Sequence, residues 1–189
     1  MKIVCLGDSL STEYGVSPRE SWIFRLQQDG VHEWIGAGIC GDTTGGMLAR
    51  LGSDVLSRRP DAAVFMGGSN DIVLSGSFES ARLNLMAMVH QAAAAGIRPV
   101  VAVPPLIRSV PPAWYPASFG GDLARVSSEY AAWLRVFCRS FGLRLLDFAA
   151  AFELGGGHLL YQPDGLHPNP AGHLVMADAV RASRYFRKA

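Results

Sequence analysis

Residues 1–11, MKIVCLGDSLS, carry the reading on which the rest depends. Four apolar residues, 3–6, run without a polar interruption and stop at Gly7, where Asp8, Ser9, Leu10 and Ser11 take over. A short unbroken apolar run that ends at a glycine reads as a strand buried on both faces, as in a parallel sheet. Ser9 then falls at the carboxyl end of that strand, where a following turn would expose its hydroxyl. A serine in that place is most often a helix cap. The alternative is a nucleophile, and a serine nucleophile needs a base supplied from elsewhere in the chain.

The same signature recurs along the chain. Residues 62–66, 99–103 and 143–146 are further apolar runs, and VHEWIG (31–36) is a weaker strand. Between them lie stretches with helical periodicity. One opens at Ser17-Pro18 with Trp22, Ile23 and Leu26 at helical spacing, Ser17 as N-cap and Pro18 as first helical residue. Others cover residues 44–56, 78–95 closed by Gly96, and 123–141 closed by Gly142. Strands alternating with helices predict an α/β fold: a parallel sheet between two helix layers, joined by right-handed crossovers. No repeat, linker or low-complexity segment divides the 189 residues, which read as one domain. Residues 104–122, PPLIRSVPPAWYPASFGGD, follow a strand directly. In open α/β sheets ligands bind beyond the carboxyl ends of strands, so this Pro-rich, aromatic loop is expected in a pocket wall.

Composition excludes several classes of partner. Charged residues make up 17% of the chain and the net charge is +1, which gives no electrostatic reason to bind nucleic acid or an anionic membrane. The most apolar window, AGIRPVVAVPPLI (95–107), is interrupted by prolines and too short for a membrane span. Cys5, Cys40 and Cys138 are odd in number and far apart, without CxxC spacing. That speaks against a disulfide framework and a zinc site and suits a reducing compartment, so the expected location is the cytoplasm. No His/Cys/Asp/Glu cluster has the spacing of metal ligands, and no metal is expected.

The candidate base is His167. Of His32, His90, His158, His167 and His173, only His167 has an acid close by in a stretch that fixes its geometry, QPDGLHPNPAGH (162–173). Asp164-Gly165 is a turn signal, Pro168 holds His167 extended, and Asn169-Pro170 reads as N-cap and first residue of a closing helix. Across that turn the Asp164 carboxylate can accept from Nδ1–H, leaving Nε2 to face Ser9. His173 is expected as a partly exposed helical residue, and the other histidines as structural or solvated.

Two more glycine-bearing turns fall where strands should end: GICGDTTGG (38–46) and MGGSND (66–71). Gly41 offers a backbone N–H that a reacting oxygen can approach, and Asn70 a side-chain amide. With the N–H of Ser9 they would supply three donors to a tetrahedral oxyanion. Capping and turn closure remain the plain alternative. A phosphate cradle is disfavoured, because neither turn has GxGxxG or GxxxxGK[ST] spacing.

GDSLS around Ser9, GDTT around Gly41, GSND around Asn70 and DGLH around His167 resemble, in order and from end to end of the chain, the four blocks of the SGNH or GDSL-type esterases and lipases. The resemblance implies a flavodoxin-like three-layer α/β/α fold with a mostly parallel sheet of about five strands, and ester hydrolysis without metal or cofactor. It implies Ser9 as nucleophile, His167 as general base, Asp164 as its orienting acid, and Gly41 and Asn70 as oxyanion donors. Gly36 and Cys40 depart from the asparagine and serine common in the second block, a change expected at the pocket floor. The expected substrate is a small or short-acyl ester, with Ile107, Trp114, Tyr115 and Phe119 as its apolar wall. Carbohydrate O-acetylesterase, lysophospholipase, thioesterase and a non-catalytic flavodoxin-like binding module are the alternatives.

Overall fold

Ile3 and Cys5 face one way along the first strand and Val4 and Leu6 the other, and both faces are buried. The computed structural model describes residues 1–114 and 121–186. In chain order the regular elements are β1 (Lys2–Gly7), α1 (Trp22–Gln28), β2 (Glu33–Gly38), α2 (Thr44–Ala49), α3 (Leu51–Asp54) and β3 (Ala62–Met66). There follow α4 (Ser69–Ser75), α5 (Glu79–Ala94), β4 (Arg98–Val103), α6 (Leu123–Phe141), β5 (Arg144–Asp147), α7 (Phe148–Gly155) and α8 (Pro170–Ser183). All strand pairs are parallel, and the order across the sheet is β2-β1-β3-β4-β5. This is the flavodoxin-like winding that the motifs imply.

Period-two alternation divides the core into two layers. Ile3, Cys5, Val64, Met66, Val100 and Ala102 pack under α1, α7 and α8, with Trp22, Phe148, Phe152 and Met176 as the large fillers. Val4, Leu6, Ala63, Phe65, Val101 and Val103 pack under the opposite helices, against Met47, Leu51, Ile72, Leu85, Met88, Leu134 and Phe137. Because the chain passes from β1 to β2 on one side and then to β3 on the other, β1 lies at the point where the winding reverses. The loops leaving β1, β2 and β3 therefore diverge around one crevice.

Several local expectations shift by a turn. Residues 17–20 form a 3₁₀ turn with a capping box of Ser17 and Glu20, and α1 starts only at Trp22, capped by Ser21 Oγ on Phe24 N–H at 3.3 Å. The expected helix over residues 44–56 is broken at Arg50 into α2 and α3. The closing helix begins as read, with Asn169 Oδ1 accepting from Ala171 and Gly172 N–H.

His173 departs from its expected exposure. It is buried on α8, on the same face as Met176, Ala177 and Val180, and its Nδ1 accepts from Trp22 N–H at 3.3 Å. The i, i+3, i+4, i+7 spacing places the residue inside, whatever its polarity suggests. Burial, with Arg25 and His167 nearby, holds its pKa down to about 4. A base with a depressed folded pKa supports stability above its unfolded value of 6.5 and loses that support as pH falls towards 4. The melting temperature of the wild type is therefore expected to drop more steeply between those values than that of His173→Gln. The loss corresponds to about 3 kcal/mol for a shift of this size. Parallel melting profiles would refute it.

Candidate active site

Ser9 opens a 3₁₀ turn, Ser9–Ser11, two residues beyond the end of β1. Asp8 caps the turn, its Oδ1 accepting from Leu10 N–H at 2.9 Å. The turn is anchored from below: Leu10 is buried, and its carbonyl accepts from the Trp22 indole at 3.0 Å, while the backbone N–H of Trp22 donates to His173 Nδ1 on α8. Asp8 is fully buried and its Oδ2 has no partner among the described residues. Burial raises its pKa to about 7, with Asp71 and Asp42 adding to the shift against the Leu10 N–H.

The loop between α7 and α8 carries His167 and Asp164. Its ends are drawn together where Tyr161 bridges Pro168 and where Gln162 N–H donates to the His167 carbonyl at 2.8 Å. Gly165, at φ +74°, makes the reversal, and a side chain there would collide with Ser109. Asp164 Oδ1 accepts from Leu166 N–H and His167 N–H, both at 2.9 Å, which turns Oδ2 onto His167 Nδ1 at 2.7 Å. The other ring nitrogen, Nε2, is 2.8 Å from Ser9 Oγ. Burial would raise the Asp164 pKa, but the two backbone N–H groups and the imidazole outweigh it and hold the carboxylate below its ordinary value. With Asp164 ionised and Nδ1 donating to it, Nε2 is left as an acceptor for the Ser9 proton.

The loop after β2 turns tightly, with Asp42 N–H donating to the Ile39 carbonyl at 3.1 Å and Gly41 at φ +77° in the third position. Positive φ there is what a type II turn requires, and a Cβ on Gly41 would meet no atom within 4 Å. Asn70, on the first turn of α4 after β3, donates from Nδ2 to the Asp42 carbonyl at 2.8 Å, which leaves the second amide hydrogen for another acceptor. Next to it Asp71 accepts from Thr44 N–H and Oγ at 2.9 and 2.7 Å and locks α4 to α2.

These residues share one cavity of about 300 Å³, lined by Ser9, Tyr14, Cys40, Gly41, Asn70, Val73, Leu74, Trp114, Leu166 and His167. Two aromatic rings flank the imidazole: Tyr14 with centroids 4.1 Å apart, and Trp114 edge-on at 5.8 Å. Trp114 thus lines the cavity. Ile107 does not: it is buried in the core layer under α6 and its N–H donates to Ser127 Oγ, so its apolar character serves packing. Tyr115 and Phe119 lie outside the described residues. Gly36 also falls away from the cavity, its open side facing Ile23 on α1, whereas Cys40 does line it. Tyr14 was not legible from local pattern; it is held by the Gln162 amide donating to its carbonyl at 2.8 Å, a contact between distant segments. Arg108 pairs with Glu153 and lies over the Tyr161 ring. A cavity of about 180 Å³ near Trp34 and Arg181 has no hydroxyl or thiol among its lining residues. Among the described residues no cluster of three His, Cys, Asp or Glu side chains could hold a metal, and no helix is long and apolar enough to cross a membrane.

Known proteins share this arrangement of chain. The esterase TesA of Pseudomonas aeruginosa is 28% identical over 171 residues, covering 88% of this chain and 79% of its own. Among solved structures, the psychrotrophic esterase EstA from Pseudoalteromonas, in a form inhibited by monoethylphosphonate, superposes with a TM-score of 0.74 at 26% identity, covering 96% and 95% of the two chains. A catalytic mutant of the acetylxylan esterase Axe2 from Geobacillus stearothermophilus has the same fold, with a TM-score of 0.75 at 19% identity over 98% and 94% of the chains. The family model for GDSL-like lipases and acylhydrolases matches residues 5–175, and the chain accordingly belongs to that family of carboxylic ester hydrolases.

Proposed function

We propose that the protein hydrolyses neutral esters with a short, apolar acyl group through Ser9, His167 and Asp164. The observation that carries this reading is the unbroken line of contacts from Ser9 Oγ to His167 Nε2, 2.8 Å, and from Nδ1 to Asp164, 2.7 Å, opening into an apolar-walled cavity. Ser9 Oγ attacks the ester carbonyl as its proton passes to Nε2. The developing oxyanion is held by the N–H of Gly41, the N–H of Ser9 and the free amide hydrogen of Asn70. His167 then gives its proton to the departing alcohol and takes one from water, which releases the acid from the acyl-enzyme.

The cavity supports the substrate class. Its volume is at the low end of small-molecule sites, and Val73, Leu74 and Leu166 provide apolar contact without a charged group among the described lining residues. A sugar O-acetyl ester is the second reading, supported by the partly exposed Trp114 beside His167, a surface on which a sugar ring could stack. A fluorophosphonate probe and a substrate panel test both. The probe is expected to mark Ser9, and kcat/KM for p-nitrophenyl esters to be highest for acetate to butyrate and to fall for longer chains. Preference for acetylated xylosides over the aryl acetate would favour the sugar reading. Absence of both labelling and turnover would remove the triad assignment.

A further inference from the structure

Arg50 breaks the helix expected over residues 44–56, and its side chain turns inward to the strand ends. Its Nε donates to Asp42 Oδ2 at 2.8 Å, Nη2 to the Gly7 carbonyl at 2.8 Å, and Nη1 to the Ala37 carbonyl at 2.8 Å and Asp54 Oδ2 at 2.7 Å. Gly7 is the last residue of β1, two before Ser9; Ala37 is next to the last of β2; Asp42 directly follows Gly41. One guanidinium therefore joins the segment that carries the nucleophile to the turn that carries a backbone oxyanion donor. The Asp42 carbonyl accepts from Asn70 Nδ2, so the second donor hangs from the same point. The arrangement is largely shielded from water, with the side chains of Arg50 and Asp42 only 14% and 12% exposed. Gly46 leaves space for it, since a Cβ there would strike the Asp42 carboxylate.

We propose that Arg50 is the positioning residue of the oxyanion site, fixing Gly41 and Asn70 relative to Ser9 through Asp42 and the Gly7 carbonyl. This rests on the triad reading above. An oxyanion donor acts only when it is already placed where the charge develops, and a displacement of about 1 Å can cost 10²-fold in rate. A planar fork reaching several acceptors at once has no equivalent in a lysine ammonium.

The test compares wild type, Arg50→Ala, Arg50→Lys and Asp42→Asn in hydrolysis of p-nitrophenyl acetate and in the rate of fluorophosphonate labelling at Ser9, with near-UV circular dichroism as the check on fold. In Arg50→Ala, kcat and the labelling rate are expected to fall about 10²-fold with KM little changed. Arg50→Lys should recover little, and Asp42→Asn should lose less than Arg50→Ala. Added guanidinium at non-denaturing concentration should restore part of kcat in Arg50→Ala and none in Arg50→Lys, whereas equal sodium chloride restores nothing. A merely structural arginine would not give that rescue. Full kcat in folded Arg50→Lys, or a change confined to KM, overturns the proposal and leaves the triad standing. A wild type that neither turns over ester nor takes the label overturns both.

Discussion

Replacing either Ser9 or His167 by alanine is expected to reduce kcat by about 10⁶, and replacing both should do no further harm. In the proposed mechanism the two side chains act on one proton. Ser9 Oγ and His167 Nε2 are 2.8 Å apart and both residues are buried, so the hydroxyl has no better acceptor once the imidazole is gone. An alanine at position 9 leaves the base without a nucleophile; an alanine at 167 leaves a hydroxyl that stays protonated at neutral pH. Neither change removes the contacts that hold the segment, because Thr12 Oγ bonds to the Ser9 carbonyl and the Leu10 carbonyl receives the Trp22 indole. Steady-state hydrolysis of p-nitrophenyl acetate by the two single variants and the double variant measures this. Losses that multiply in the double variant would show that the residues act independently and would break the assignment.

What the sequence showed and what it hid follow from how far each contact reaches along the chain. The strands were legible because burial on both faces leaves an unbroken apolar run, and the Asp164–His167 pair because its geometry is made within four residues. Two helices escaped. α4 begins inside the GSND block, is only seven residues long and is preceded by Gly68 as N-cap at positive φ, so no apolar period announces it. α7 follows β5 without a loop, Asp147 ending the strand and capping the helix through Ala150 N–H. Tyr14 and Arg50 escaped for a different reason. Their placement depends on partners far along the chain: the Gln162 amide for one, the Gly7 carbonyl for the other. Ile107 shows the reverse error. An apolar side chain in a loop beyond a strand can equally fill a core or line a pocket, and only the path of the loop decides.

Asp164→Asn is expected to lower kcat by about 10⁴, the cost of the same change at the orienting acid of a serine protease. A backbone carbonyl standing in for the lost carboxylate would soften this, but the loop geometry argues against such help. Asp164 Oδ1 is committed to the N–H groups of Leu166 and His167, so in asparagine the carbonyl oxygen must stay there. Turning the amide over would set its NH₂ against two donors. The amide nitrogen is thereby fixed opposite His167 Nδ1, where it can only donate. Nδ1 must then accept, which puts the imidazole proton on Nε2, pointing at Ser9 Oγ. A ring that donates to the hydroxyl cannot remove its proton. The fold should survive, since both backbone contacts remain, whereas Asp164→Ala would loosen the loop as well. Two measurements check it: kcat on a p-nitrophenyl ester, and the imidazole nitrogen shifts, which should move from an Nδ1–H to an Nε2–H tautomer. An unchanged tautomer with kcat within about tenfold of wild type would mean that another group orients His167.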